Sequence, residues 1–107
     1  MAVQFYGCTV SGWQTGILAR DGGSVYLESS VLADNDVGLL FNTHSSGYTN
    51  LDYLNNTFRG NGTAIVIAAL QGTSTLRLDG CVFEGNGENL RNEIDYPVDL
   101  SRAVEKS

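Results

Sequence analysis

Apolar and polar positions alternate along this chain in short runs, and the runs come in sets of three that recur four times. Val3, Phe5, Cys8, Val10, Gly12, Trp13, Gly16 and Ile17 mark the first set, and Val25, Leu27, Ser30, Leu32, Asp34, Asn35, Gly38 and Leu39 the second. Leu51, Tyr53, Asn56, Phe58, Gly60, Asn61, Ala64 and Ile65 mark the third, then Leu76, Leu78, Cys81, Phe83, Gly85, Asn86, Asn89 and Leu90 the fourth. From Cys8 to Ser30, Asn56 and Cys81 the steps are 22, 26 and 25 residues. A period of two predicts strands. Recurrence in the twenties predicts stacked units, each able to bury its apolar face only against a neighbour. The strands predicted in the second unit are 24–28, 30–33 and 38–42, and in the third 50–54, 56–59 and 64–68. Between them lie Asp34-Asn35-Asp36, Gly60-Asn61-Gly62 and Gly85-Asn86-Gly87. Gly and Asn tolerate left-handed backbone, so these triplets predict tight corners.

Three strands per turn describe a parallel β-helix of four coils, in which equivalent residues stack as columns. The predicted inward columns are Val3/Val25/Leu51/Leu76, Phe5/Leu27/Tyr53/Leu78, Val10/Leu32/Phe58/Phe83 and Ile17/Leu39/Ile65/Leu90, every member apolar or aromatic. Asn35, Asn61 and Asn86 form a corner column whose amides can bond their own corner and the next coil. Trp13 breaks this ladder in the first coil. Cys8 and Cys81 share one repeat position three coils apart, on the order of 14 Å at a coil spacing of ~4.8 Å. That is beyond disulfide reach, so both are expected to be reduced.

The strings CTVSGWQTGIL, FRGNGTAIVI and FEGNGENL resemble the right-handed parallel β-helix repeats of the pectin-lyase-like superfamily. They are also similar to the Phe-x-x-Asn and Gly-Gly-Ala-Ile repeats of bacterial surface autotransporter passengers. The resemblance covers residues 3–92. It implies an all-β fold, a right-handed single-stranded parallel β-helix of about four coils with a C-terminal cap. It implies no single activity, because such repeats serve lyases, hydrolases, epimerases, adhesins and phage tail proteins. The organisation expected is a β-helix over 1–92 and a capping tail over 93–107. Asn92 stands where Ala19, Phe41 and Ile67 stand in earlier coils, and the tail mixes Ile94, Tyr96, Val98, Leu100 and Val104 with charges. It is expected to fold over the last coil, with a short helix from Asp99. The first coil starts almost at Met1 and offers an open strand edge, which predicts cover by upstream coils or by another chain.

Six basic and twelve acidic residues leave a net charge of −6. That argues against nucleic acid, which needs clustered Lys and Arg, and against anionic lipid. The longest apolar stretch, Ala64 to Leu70, is too short to span a bilayer. Met1-Ala2-Val3 leads straight into the repeat without a signal-peptide pattern.

Candidate chemistry lies where the repeat is interrupted or faces outward. Connections from third strand to first absorb the length variation: eight residues from Ile17 to Val25, twelve from Leu39 to Leu51, eleven from Ile65 to Leu76. The insertion Thr43–Thr49 holds His44, the only histidine and a conceivable base, and Tyr48, a candidate ligand contact. Enzymes of the resembled superfamily work on the outer face of the first strands. Here that face carries Gln4, Tyr26, Asp52 and Arg77 in one column and Tyr6, Glu28, Leu54 and Asp79 in the next. A β-eliminating lyase needs a base such as Arg77 beside carboxylates that hold calcium, which Glu28, Asp52 and Asp79 could imitate. A hydrolase needs converging carboxylates. No Asn-Thr-Asp, Asp-Asp, Gly-His-Gly or Arg-x-Pro-x-x-Arg motif is present. A solvated face with an Asp52–Arg77 ion pair accounts for the same residues.

Asn35 of Asp34-Asn35-Asp36 is already assigned to the ladder, so no metal site or cofactor is expected, calcium being the one candidate. Asn55-Asn56-Thr57 and Asn61-Gly62-Thr63 match a glycosylation sequon as a by-product of Asn-rich corners. Leu18, Leu40 and Val66 stack out of phase with the core as an outward aliphatic stripe, extended by Val37 and Ala68. Such a stripe marks an interface, covered by a flanking loop or the chain's own C-terminal tail, or by a second subunit side by side. The expectation is a non-catalytic structural or interaction module of a larger secreted, cell-surface or phage-tail protein, contacting polysaccharide through Tyr26, Glu28, Asp52, Arg77, Asp79 and Tyr48. The alternative is a fragment of a polysaccharide lyase or glycoside hydrolase acting on acidic glycans.

Overall fold

The computed structural model describes residues 2–20, 24–43, 51–71 and 75–106, and every regular element among them is a strand. The first coil runs through β1 (Ala2–Tyr6), β2 (Thr9–Ser11) and β3 (Thr15–Arg20), the second through β4 (Ser24–Glu28), β5 (Val31–Ala33) and β6 (Val37–Asn42). The third keeps β7 (Thr57–Arg59) and β8 (Thr63–Ala69), and the fourth has β9 (Leu76–Arg77), β10 (Val82–Glu84) and β11 (Glu88–Asn92). Equivalent strands of successive coils pair in parallel, β2–β5–β7–β10 on the second face and β3–β6–β8–β11 on the third. The register joins Val10, Leu32, Phe58 and Phe83, and likewise Ile17, Leu39, Ile65 and Leu90. This is the four-coil parallel β-helix that the repeat predicts.

The columns build the core. Leu27, Leu32, Leu39, Phe58, Ile65, Leu76, Leu78 and Phe83 are buried, and Phe58 stacks on Phe83 with ring centroids 5.1 Å apart and planes 7° from parallel. Each buried side chain of this size contributes about 1.5–3 kcal/mol relative to exposure. Phe5, Val10 and Leu90, in the terminal coils, are only half-buried.

Both corners of each coil are built alike. Gly7, Ser29, Asn55 and Gly80 have φ of 64°, 53°, 59° and 72° at the first corner, and Gly12, Asp34, Gly60 and Gly85 have 80°, 58°, 67° and 65° at the second. A single left-handed residue turns the chain at each corner, and the residue after it turns its side chain into the stack, except for exposed Trp13 in the first coil. At the second corner Asn61 Oδ1 accepts from the Asn35 amide (3.1 Å), and Asn61 Nδ2 donates to the Leu32 carbonyl (2.9 Å) and to Asn86 Oδ1 (3.0 Å). Asn35 repeats the pattern towards Val10 and Asn61, and Asn86 towards Phe58. Trp13 lacks the amide, but its backbone N–H donates to Asn35 Oδ1 at 2.9 Å, so the ladder ends on the backbone there. Glycine suits position 60, where φ is left-handed and an added Cβ would come within 2.6 Å of Asp34 Oδ1 and push that exposed carboxylate aside.

Two expectations need correction. The predicted strand 50–54 reduces, in its described part, to one bridge between Asp52 and Arg77, so β1 and β4 form one two-stranded sheet and β9 pairs separately with β12 (Val98–Asp99). Tyr53 accounts for the irregularity. It fills an inward position held elsewhere by Leu27 and Leu78, and its hydroxyl donates to the Val25 carbonyl, an acceptor that a regular ladder gives to a backbone N–H. The second correction concerns the tail. No helix starts at Asp99: β12 lies in register on β9, and β13 (Val104–Lys106) on β10. The apolar Val98, Leu100 and Ala103 pack on the core, so the winding continues as an incomplete fifth coil.

The ladder makes a stability prediction. Asn61→Ala strips buried backbone groups of Asn35 and Leu32 of their partners, each worth about 1–3 kcal/mol. Urea unfolding should show a loss of about 3 kcal/mol, larger than for the half-buried Asn86→Ala; the reverse order would contradict the account. Cys8 and Cys81 are both free, and burial, partly offset by hydrogen bonding at Asn56 and Asn55, pushes the Cys81 thiol up to about 11. Mass spectrometry of the native protein alkylated at pH 8 should find Cys8 modified first and Cys81 only on unfolding. Because the unfolded thiol ionises near 9.0 and the folded one near 11, stability should also fall as pH rises between these values.

Candidate functional site

Strand alternation turns two columns of the first face outward. Gln4 pairs with Tyr26, Asp52 bridges to Arg77, and Arg77 pairs with Asp99, so the first column gains a fifth member from the tail. Tyr6 pairs with Glu28 in the second column, which continues through Leu54 and Asp79. Where the sheet is interrupted, a cleft of about 290 Å³ opens, lined by Gln4, Tyr26, Leu27, Glu28, Asp52 and Leu54. Its aromatic wall is held from behind. The half-buried Tyr26 ring lies 6.4 Å from that of buried Tyr53, which meets Phe41 edge-on at 5.6 Å and 70°. An aromatic chain thus crosses the core from the third face to the cleft.

Arg77 bonds on two sides. Its Nη2 donates to Asp79 Oδ2 at 2.7 Å, and its Nη1 lies 3.7 Å from Asp52 Oδ1. The Arg77 side chain is 47% exposed, which limits each pair to about 0–1 kcal/mol. The other Asp79 oxygen, Oδ1, is buried without a hydrogen-bond partner. Asp99 is held below the usual carboxylate range by the Ser101 hydroxyl (2.6 Å) and amide (2.9 Å), with Arg77 and Arg102 adding to the effect. Among the described residues, no three His, Cys, Asp or Glu side chains gather in a way that would hold a metal ion.

Residues 1–97 match the family model of the right-handed β-helix region. The chain belongs to the right-handed β-helix family. No curated protein and no solved structure matches it. No helix among the described residues is long and apolar enough to cross a membrane.

The β-helix places the remaining predicted residues unevenly. Asp52, Arg77 and Asp79 meet, while Tyr26 and Glu28 line the cleft beside Asp52. His44 and Tyr48 lie outside the described residues. The Leu18/Leu40/Val66 stripe is graded: Leu18 is 40% exposed, Leu40 half-buried and Val66 6% exposed, and Arg91 ends the column. A second side-chain ladder was missed in the sequence. Ser30 Oγ accepts from the Cys8 amide at 3.2 Å, Asn56 Oδ1 from the Ser30 amide at 3.0 Å, and Asn56 Nδ2 donates to the Leu27 carbonyl at 3.1 Å. The signal was the hydrogen-bonding side chains Ser30 and Asn56 at a repeat position otherwise taken by cysteine.

The fifth-coil carboxylate yields a pH prediction. Because its folded value is lowered, Asp99 contributes stability above the ordinary 3.8, and that contribution is lost as pH falls through the lowered value. Ser101→Ala removes the leading cause, so an NMR titration should show the Asp99 midpoint moving up towards 3.8. An unchanged midpoint would remove Ser101 from the explanation.

Proposed function

We propose that this β-helix is a rigid, non-catalytic module of a larger secreted, cell-surface or phage-tail protein, and that its first face contacts carbohydrate. The observation that carries this reading is the engagement of Arg77 by Asp52 and Asp79. A lyase acting on acidic glycans would need Arg77 turned to its substrate as a base beside cation-binding carboxylates. Here the guanidinium faces its own neighbours. The cleft suits a bound sugar better than a reacting one. The Tyr26 ring offers a flat apolar wall, while Gln4, Glu28 and Asp52 offer donors and acceptors for hydroxyl groups. Its two carboxylates oppose a uronate and favour a neutral glycan.

The reading is tested by titrating the intact chain with neutral and acidic oligosaccharides and assaying turnover with and without calcium. Binding of a neutral oligosaccharide, weakened at least about tenfold by Tyr26→Ala, is the expected result, a change of about 1.4 kcal/mol. Turnover of a uronate polymer that disappears in Asp52→Ala and Arg77→Ala would replace this reading with the lyase or hydrolase alternative.

A further inference from the structure

We propose that the sugar selected by this cleft carries a free amino group, so that the ligand is a glycan containing an unacetylated amino sugar. The inference rests on the carbohydrate reading above and adds to it the chemistry of one contact. It starts from Glu28. This side chain is half-buried in the wall of the cleft, and among the described residues its carboxylate meets no cation and no hydrogen-bond donor. The neighbouring carboxylates are engaged: Asp52 and Asp79 share Arg77, and Asp99 is held by Ser101.

The chain supplies no counter-ion for Glu28. Of the six basic residues, only Arg77 lies on a strand of the first face. Arg20 and Arg91 stand on the third face, Arg59 and Lys106 on the second, and Arg102 in the tail. Arg77 belongs to the fourth coil and Glu28 to the second, ~10 Å apart along the stack at two coil spacings. The neighbours of Glu28 on the outer face are Tyr6 and Leu54 along its column and Tyr26 two residues back on its own strand. A carboxylate set among two aromatic residues and a leucine loses part of its water without gaining a partner. A cationic ligand supplies that partner.

The Tyr26 ring decides which cation fits. Its contact with Tyr53, centroid to centroid 6.4 Å, fixes the ring before a ligand arrives. An aromatic face beside a carboxylate attracts an organic ammonium through the ring quadrupole and the ion pair together. A bare metal ion would need several converging oxygen ligands, and no group of three suitable side chains gathers among the described residues. The cleft, about 290 Å³, has room for one sugar ring, and Gln4, in register with Tyr26, offers its amide to the hydroxyl groups. N-acetylation removes the ammonium charge, and a uronate reverses it. The net charge of −6 adds a field that favours the cationic sugar.

The test compares two oligosaccharides of equal length, one of glucosamine and one of N-acetylglucosamine. Each is titrated into the intact chain at about pH 6, below the ordinary range of an amine. The glucosamine form should bind at least about tenfold tighter, and the ratio should shrink as salt is raised. Glu28→Gln should abolish the difference. Glu84→Gln removes the same charge from an exposed position on the second face and should leave the ratio as it is. Unchanged circular dichroism checks that both variants fold. Equal binding of the two oligosaccharides would overturn the amino-sugar inference and leave the carbohydrate reading standing. A preference that persists in Glu28→Gln would overturn it as well, by placing the ammonium elsewhere. Binding of neither oligosaccharide would remove both.

Discussion

A buried carboxamide that bonds the coil above and the coil below at once is the constraint on which the stack depends. Asn61 can do this only where the chain turns sharply enough to aim its side chain inward, and the left-handed Gly60 before it provides that turn. The two corners of a coil are therefore locked at one separation. Cys8 to Trp13, Ser30 to Asn35, Asn56 to Asn61 and Cys81 to Asn86 are each five residues. Length variation falls instead between the third strand of one coil and the first strand of the next, where the steps are eight, twelve and eleven residues.

The same rigidity explains why the cleft sits between the second and third coils. The second and third faces are continuous sheets, the second with a ladder at each of its corners and the third with one where it adjoins the second face. The first face adjoins the variable corner, and it receives Tyr53, a residue with a hydroxyl, in an otherwise apolar column. That hydroxyl needs a buried acceptor and finds the Val25 carbonyl. The regular pairing lapses at this level, the outer columns part, and Tyr26, Glu28 and Asp52 come to line a hollow. One tyrosine in the core thus links the packing to the candidate site.

The first and fourth coils depart from the repeat in different ways. In the fourth, polar residues take positions that are apolar or small in earlier coils and bond to the tail, Asn92 with Tyr96 and Asn89 with Glu105. In the first, Phe5 and Val10 keep the apolar pattern, and Trp13 stands in place of a ladder amide.

Periodic features were legible in the sequence. Alternation and the recurring Asn-x-x-Gly or Asn-x-x-Ala spacing determined the coil count, the inward columns, the second-corner ladder and the separation of the two cysteines, because each repeats and each copy confirms the others. What occurs once was not legible. The tail resembled a cap with a helix because Val98 and Val104 lack the repeat's corner residues. Only stacking on β9 and β10 made them strands. The Asp52–Arg77 contact followed from column spacing, but the fork of Arg77 onto Asp79 required side-chain geometry. The sequence by itself determined which residues share a column. Tertiary structure alone decided where a column opens, how it ends and which charges pair, because these depend on the fit between neighbouring coils and no single repeat contains that fit.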